Sequence, residues 1–126
     1  MTQAVKVGTD ICSITRIREA YEKNGERFLD KILTGEEKRY VLSRQKRVAE
    51  SLAGRFAAKE AVGKALGVGL RGVGWKEIEI GRSPYGAPLV MLHGRAKERA
   101  RFLNLSTFDV SISHEREFAI AVVVAV

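Results

Sequence analysis

Apolar and polar positions along the chain change rhythm twice, and each change marks an element. Residues 4–8 set Val5 and Val7 around Lys6, the two-residue period of a short strand that runs into Thr9 and Asp10. Ser13 is placed to cap a helix that opens at Ile14 and stops before Gly25. Phe28, Leu29, Ile32 and Leu33 repeat at helical spacing and predict a second, short helix. Thr34 followed three residues later by Glu37 is a capping box, opening a third helix that runs to Leu42. Residues 46–66 predict the longest helix, closed by Gly67. Its interior glycines, Gly54 and Gly63, each lower helix propensity by about 1 kcal/mol relative to alanine. They mark places where another backbone or a ligand comes close.

After Gly74 the period becomes two. Ile78 and Ile80 alternate with Glu77 and Glu79, residues 83–86 (Ser-Pro-Tyr-Gly) predict a turn, and residues 88–92 return as a second strand. Residues 95–103 read as a short basic helix. Val110 and Ile112 alternate with serines, and residues 113–117 turn into a final apolar strand. That strand is apolar on both faces, so it is either central in a sheet or covered by another subunit, and the second reading is preferred. The fold class is therefore α+β: N-terminal helices, one of them long, packed on an antiparallel sheet. No linker stands out, and residues 1–126 read as a single domain.

Composition narrows the partners. Hydrophobic residues at 45% and charged ones at 29% are those of an ordinary globular protein. The 22 basic residues outnumber the 15 acidic ones, giving +7, which favours an anionic partner. Cys12 is the single cysteine, so one chain holds no disulfide and no cysteine-based zinc site, and Cys12 reads as a small buried hydrophobe. There is no apolar run of signal-peptide length at the start and none of membrane-spanning length anywhere, which points to a cytoplasmic protein with no membrane association.

The long helix carries the chemistry. Residues advance by about 100° each, so Ala49, Leu52, Ala53, Phe56 and Ala57 form an apolar stripe that, continued, reaches Glu60 and then Lys64. A carboxylate on such a stripe needs a partner. One reading is an i,i+4 ion pair between Glu60 and Lys64. The other makes Glu60 a metal ligand and Lys64 a phosphate-binding cation. Asp10, expected at a strand end, would supply a second carboxylate; alternatively it caps a helix. A pair of carboxylates suits Mg²⁺, which keeps several waters and takes phosphate oxygens.

The run from Arg55 to Gly69, with its Phe-x-x-Lys-Glu-Ala-x-x-Lys-Ala core, stands between Gly8-Thr9-Asp10-Ile11 and Ser111-Ile112-Ser113-His114. Together these motifs resemble the holo-acyl-carrier-protein synthases, the small trimeric members of the 4′-phosphopantetheinyl transferase family. The likeness spans nearly the whole chain. It implies the 4′-phosphopantetheinyl transferase fold and transfer of the arm of coenzyme A to a serine of acyl carrier protein, with release of adenosine 3′,5′-bisphosphate.

The resemblance also implies roles. Asp10 and Glu60 would hold Mg²⁺, and Lys64 would sit by the diphosphate. Arg55, with Arg44 or Lys46, would bind nucleotide phosphates. Ser113 and His114, in a turn, would bind the adenosine bisphosphate across a homotrimer boundary. Gly86 and Pro88 would place a backbone turn near the adenine, and Gly67 would offer its N–H. Arg16 would grip the acidic carrier protein, extended by Arg18 and Arg27. The base for the serine hydroxyl stays open between a metal-bound water and one of the carboxylates. Val68 stands where the family often has threonine, which removes one hydroxyl from the phosphate loop. A nucleic-acid-binding domain would also fit the charge, but the aromatic residues show no clustered stacking motif.

Overall fold

The first strand, β1 (Lys6–Ser13), is longer than the alternation around Lys6 suggests, because its whole length is paired. It runs antiparallel to the last strand, β5 (Phe118–Ala125), in a register from Lys6 opposite Ala125 to Ser13 opposite Phe118. β4 (Phe108–Glu115) pairs with the other edge of β5, so the sheet order is β1-β5-β4. The computed structural model describes residues 4–126. Between these strands lie α1 (Ile14–Asn24), α2 (Glu26–Ile32), α3 (Gly35–Ser43), α4 (Val48–Ala65) and the one-turn α5 (Gly69–Gly72). A two-stranded antiparallel hairpin, β2 (Ile78–Arg82) and β3 (Pro88–Leu92), follows, and then α6 (Gly94–Phe102). The α+β class holds, with two antiparallel sheets rather than one. No helix among the described residues is long and apolar enough to cross a membrane.

Local chemistry sets the helix ends. Ser13 caps α1, its Oγ accepting from Arg16 N at 3.2 Å, so Asp10 has no capping role there. Thr34 and Glu37 form the capping box of α3. The long helix starts two residues later than expected: Gln45 has a φ of 52°, and residues 45–47 form a 3₁₀ turn before α4 begins.

α4 lies across the inner face of the β1-β5-β4 sheet, with α1, α3 and β2 against its other sides. It is buried on almost every side rather than along the one stripe that the sequence suggested. Close approach explains the small residues facing it. A Cβ on Gly8 would stand 1.8 Å from the Ala61 carbonyl oxygen, so β1 can sit this near α4 only with glycine there. A Cβ on Gly54 would meet the His114 ring at 3.0 Å, and one on Gly63 would meet Gly69 Cα at 3.1 Å. Both interior glycines thus admit another part of the chain.

β5 is central in the sheet, the first of the two readings that its apolar faces allowed. Its inner face (Ala119, Ala121, Val123 and Ala125) is buried against α4. Its outer residues Phe118, Ile120, Val122 and Val124 remain 37–43% exposed. Val7 and Ile11 of β1, opposite Val124 and Ile120, extend that apolar strip and are about 60% exposed.

A buried ion pair ties the hairpin to the helices. Lys59 on α4 is fully buried, and its Nζ donates to Glu37 Oε1 at 2.7 Å, Ile78 O at 2.6 Å and Trp75 O at 2.9 Å. Glu37 Oε1 also accepts from Thr34 N, and its Oε2 accepts from Ile80 N at 2.8 Å. Burial lowers the Lys59 pKa, and the Glu37 carboxylate opposes that shift. All three ammonium donors are satisfied, the condition under which a buried charge is tolerated.

Candidate active site

Asp10 is in the middle of β1, not at a strand end: the pairing with β5 continues to Ser13 and carries the chain past it. Strand alternation puts Asp10 on the same side as Gly8 and Cys12, toward α4, where a cavity of about 330 Å³ is lined by Asp10, Cys12, Arg16, Phe56 and Glu60. The Glu60–Lys64 ion pair does not form. Lys64 instead reaches across to β1, donating to Thr9 O at 2.9 Å and Asp10 Oδ1 at 3.3 Å. Glu60 has no cation within salt-bridge distance among the described residues. Burial raises its pKa, the Asp10 charge adds to the rise, and Lys64 works against it.

Two carboxylates and a half-exposed ammonium therefore share the mouth of one cleft. Among the described residues no three carboxylate, histidine or cysteine side chains gather as a complete metal cage. A pair of carboxylates that repel each other fits a divalent cation that takes its other ligands from water and phosphate. Cys12 is half-buried, its Sγ donates to Ala53 O at 3.3 Å, and burial pushes its thiol up to about 11, so it is a poor nucleophile.

A second, larger cavity of about 580 Å³ lies at the other end of α4. Its walls include Arg18, Tyr40, Arg44, Arg47, Arg55 and His114. The structure thus brings Arg44, Arg55 and His114 of one chain to the same cavity. Lys46 is exposed and outside these walls; the 3₁₀ turn presents Arg47 instead. Only the local dense run of basic residues hinted at Arg47. Ser113 and His114 lie in β4, not in a turn, because β4 stays paired until Glu115. His114 Nε2 is 2.9 Å from Glu50 O, held over Gly54 in the same chain. Arg55 is only 8% exposed, and its Nε has no hydrogen-bond partner. Burial lowers its pKa; Tyr40 and the Glu37 carboxylate oppose that shift, and the charges of Arg82 and Arg44 add to it.

The remaining candidates are dispersed. Gly86, with φ 86°, lies in the turn of the hairpin and Pro88 opens β3 beside it, both outside the two cavities. Gly67 has φ 76° and follows the α4 C-terminus, where Arg99 Nε donates to Leu66 O at 2.9 Å. Arg16 lines the Asp10 cavity, whereas Arg18 pairs with Glu50 at 3.3 Å and faces the basic cavity. Arg27 is exposed on α2.

An antiparallel β1-β5-β4 sheet spanned by one buried helix is the frame of a known class. The model of the 4′-phosphopantetheinyl transferase superfamily matches residues 6–123, and the chain belongs to that superfamily. A holo-[acyl-carrier-protein] synthase of Gloeobacter violaceus is 44% identical over 118 residues, covering 94% of this chain and 89% of that protein. The crystal structure of the Helicobacter pylori holo-[acyl-carrier-protein] synthase in complex with coenzyme A superposes with a TM-score of 0.81 at 39% identity. It covers 95% of this chain and 99% of that one. The Bacillus anthracis enzyme in complex with CoA (3′,5′-ADP) gives 0.79 at 33% identity, with 97% of each chain covered.

Proposed function

We propose that this chain is the enzyme that moves the 4′-phosphopantetheine arm of coenzyme A onto a serine of apo acyl carrier protein. The observation that carries the reading is the Asp10–Lys64–Glu60 arrangement in a chain that matches a holo-[acyl-carrier-protein] synthase over 94% of its length. The serine oxygen attacks the phosphorus that bears the pantetheine arm. The bond from that phosphorus to the bridging oxygen breaks, and adenosine 3′,5′-bisphosphate leaves with the electron pair. The serine proton goes to a base at the cleft. Asp10 and Glu60 would hold Mg²⁺, which would supply neutralisation of the diphosphate charge. Lys64 lies beside the diphosphate and stabilises the leaving group. Its bond to Asp10 at 3.3 Å supports that role.

Arg44, Arg55 and His114 receive the nucleotide phosphates, and Arg47 joins them in place of Lys46. Ser113 lies beside His114 on β4, both serving the adenosine bisphosphate across the boundary with a neighbouring subunit; Gly67 offers its N–H, and the Gly86–Pro88 turn lies near the adenine. That neighbour belongs to a homotrimer. Support comes from the bare apolar strip of Val7, Ile11, Ile120, Val122 and Val124, the surface that subunit contacts cover. Residues 1–126 act as one transferase domain, in the cytoplasm. Arg16, free of any ion pair among the described residues and at the rim of the Asp10 cavity, receives the acidic carrier, with Arg27 further along. Arg18, turned to the basic cavity, serves the nucleotide better than the carrier.

The test is direct. The protein, Mg²⁺ and coenzyme A are mixed with a panel of apo fatty-acid and polyketide carrier proteins, and each carrier is weighed by mass spectrometry. At least one carrier gains a phosphopantetheine arm; no gain by any carrier refutes the reading.

A further inference from the structure

Tyr40 on α3 has no part in the motifs that mark the site, yet three guanidinium groups gather on its ring. The Cζ atoms of Arg55 and Arg82 each lie 4.4 Å from the ring centroid, and that of Arg44 lies 5.6 Å away. The three come from separate elements: Arg55 from α4, Arg82 from the end of β2, and Arg44 from the end of α3. None of them forms a salt bridge among the described residues. Like charges this close repel one another, and one of them, Arg55, is more than nine-tenths buried with its Nε unpartnered. The negative face of the ring offsets this repulsion, since a cation over an aromatic face is attracted by the ring quadrupole, and at Arg55 the Glu37 carboxylate adds to the effect.

Tyr40 also stands between two cavities. It lines the basic cavity with Arg44 and Arg55, and a smaller one of about 310 Å³ with Arg55 and Arg82. Arg82 in turn touches the hairpin tip, where a Cβ on Gly86 would stand 3.0 Å from its Nη2. The ring thus links the phosphate cavity to the hairpin.

We infer that Tyr40 is a positioning residue for the nucleotide phosphates: its ring gathers Arg55, Arg44 and Arg82 into one preassembled anion site and makes Arg82 a further phosphate ligand. This inference rests on reading the basic cavity as the nucleotide-phosphate site. Assembly before binding means that the ligand's phosphates do not have to draw three repelling cations together. Tyr40 itself touches no reacting atom, so its loss is felt in binding and not in turnover.

The experiment measures adenosine 3′,5′-bisphosphate binding by titration calorimetry, with KM and kcat for coenzyme A and for 3′-dephospho-coenzyme A. Tyr40→Phe keeps the ring and binds the bisphosphate within about threefold of wild type. Tyr40→Leu loses the ring face, weakens binding about tenfold or more, raises the coenzyme A KM to match, and leaves kcat within about twofold. Its effect on 3′-dephospho-coenzyme A is much smaller, because that substrate lacks one phosphate. Arg82→Gln, on the exposed hairpin, keeps the fold if Tyr40→Leu does not, and weakens bisphosphate binding by a similar factor. In the double variant the two losses combine to less than their product. Binding by Tyr40→Leu and Arg82→Gln within twofold of wild type overturns the inference while the cavity reading stands. A wild-type protein that binds no bisphosphate overturns both.

Discussion

Replacing Lys59 with methionine keeps most of the side-chain volume and removes the ammonium that holds Glu37. The pair is buried to within about 1% exposure on either side, so the surviving carboxylate faces no solvent. It would keep two backbone donors, Thr34 N and Ile80 N, but no counter-charge. Breaking a buried pair by removing one partner costs about 3–5 kcal/mol. With an unfolding entropy of roughly 2.1 cal/mol/K per residue, a chain of this length loses roughly 10–20 °C in Tm. Calorimetric melts of wild type, Lys59→Met and Lys59→Met/Glu37→Gln measure it. The double variant removes the stranded charge and recovers part of the loss. Full recovery is not expected, because one amide oxygen cannot serve both backbone donors. A fall of less than about 4 °C in the single variant would refute the argument, since it would mean that the carboxylate keeps a solvated or protonated form at little cost.

Other perturbations probe the cleft itself. Gly8→Ala places a methyl 1.8 Å from the Ala61 carbonyl oxygen, so β1 must move off α4. Loss of at least about 3 kcal/mol, or of all activity in a protein that still folds, is expected from melts and transfer assays. Glu60 has a raised folded-state pKa, so the folded protein holds its proton to higher pH than the unfolded chain does. Stability from this group therefore falls as pH rises from the ordinary carboxylate range through that higher value. Glu60→Gln removes this slope, raises the Tm of the metal-free protein at neutral pH, and abolishes the Tm gain on adding Mg²⁺; a lower Tm would contradict the burial argument. The Cys12 thiol, held at about 11, reacts with a disulfide reagent at pH 8 far more slowly than it does in denaturant. Equal rates would show that the thiol is open.

How far the sequence reached depended on whether a signal was local. Ser13 and the Thr34–Glu37 capping box were legible because each acts within one turn of its own helix. The second task of Glu37, holding Lys59 and Ile80 N, was not, since its partners lie 22 and 43 residues away. The end assigned to the first strand failed for a related reason: the alternation around Lys6 fades at Thr9 and Asp10, and the pairing with β5 carries the strand on to Ser13. The same pairing carries β4 through Ser113 and His114. The Glu60–Lys64 spacing was real, but β1 offered Lys64 a carboxylate and a carbonyl across the cleft. Arg47 was hidden behind Lys46 because one positive φ at Gln45 turns the chain before the helix. Helix periodicity still pointed to Glu60 as an anomaly, and the cavity it shares with Asp10 accounts for it.

The central claim is that Asp10 and Glu60, brought together by β1 and α4, are the groups on which arm transfer depends. A single-turnover mass assay on an accepted carrier compares wild type with Asp10→Asn and Glu60→Gln, each first shown to be folded by circular dichroism. Wild type adds one arm of about 340 Da to the carrier, and both variants slow the transfer by about a hundredfold or more. Transfer at the wild-type rate by either folded variant would contradict the account.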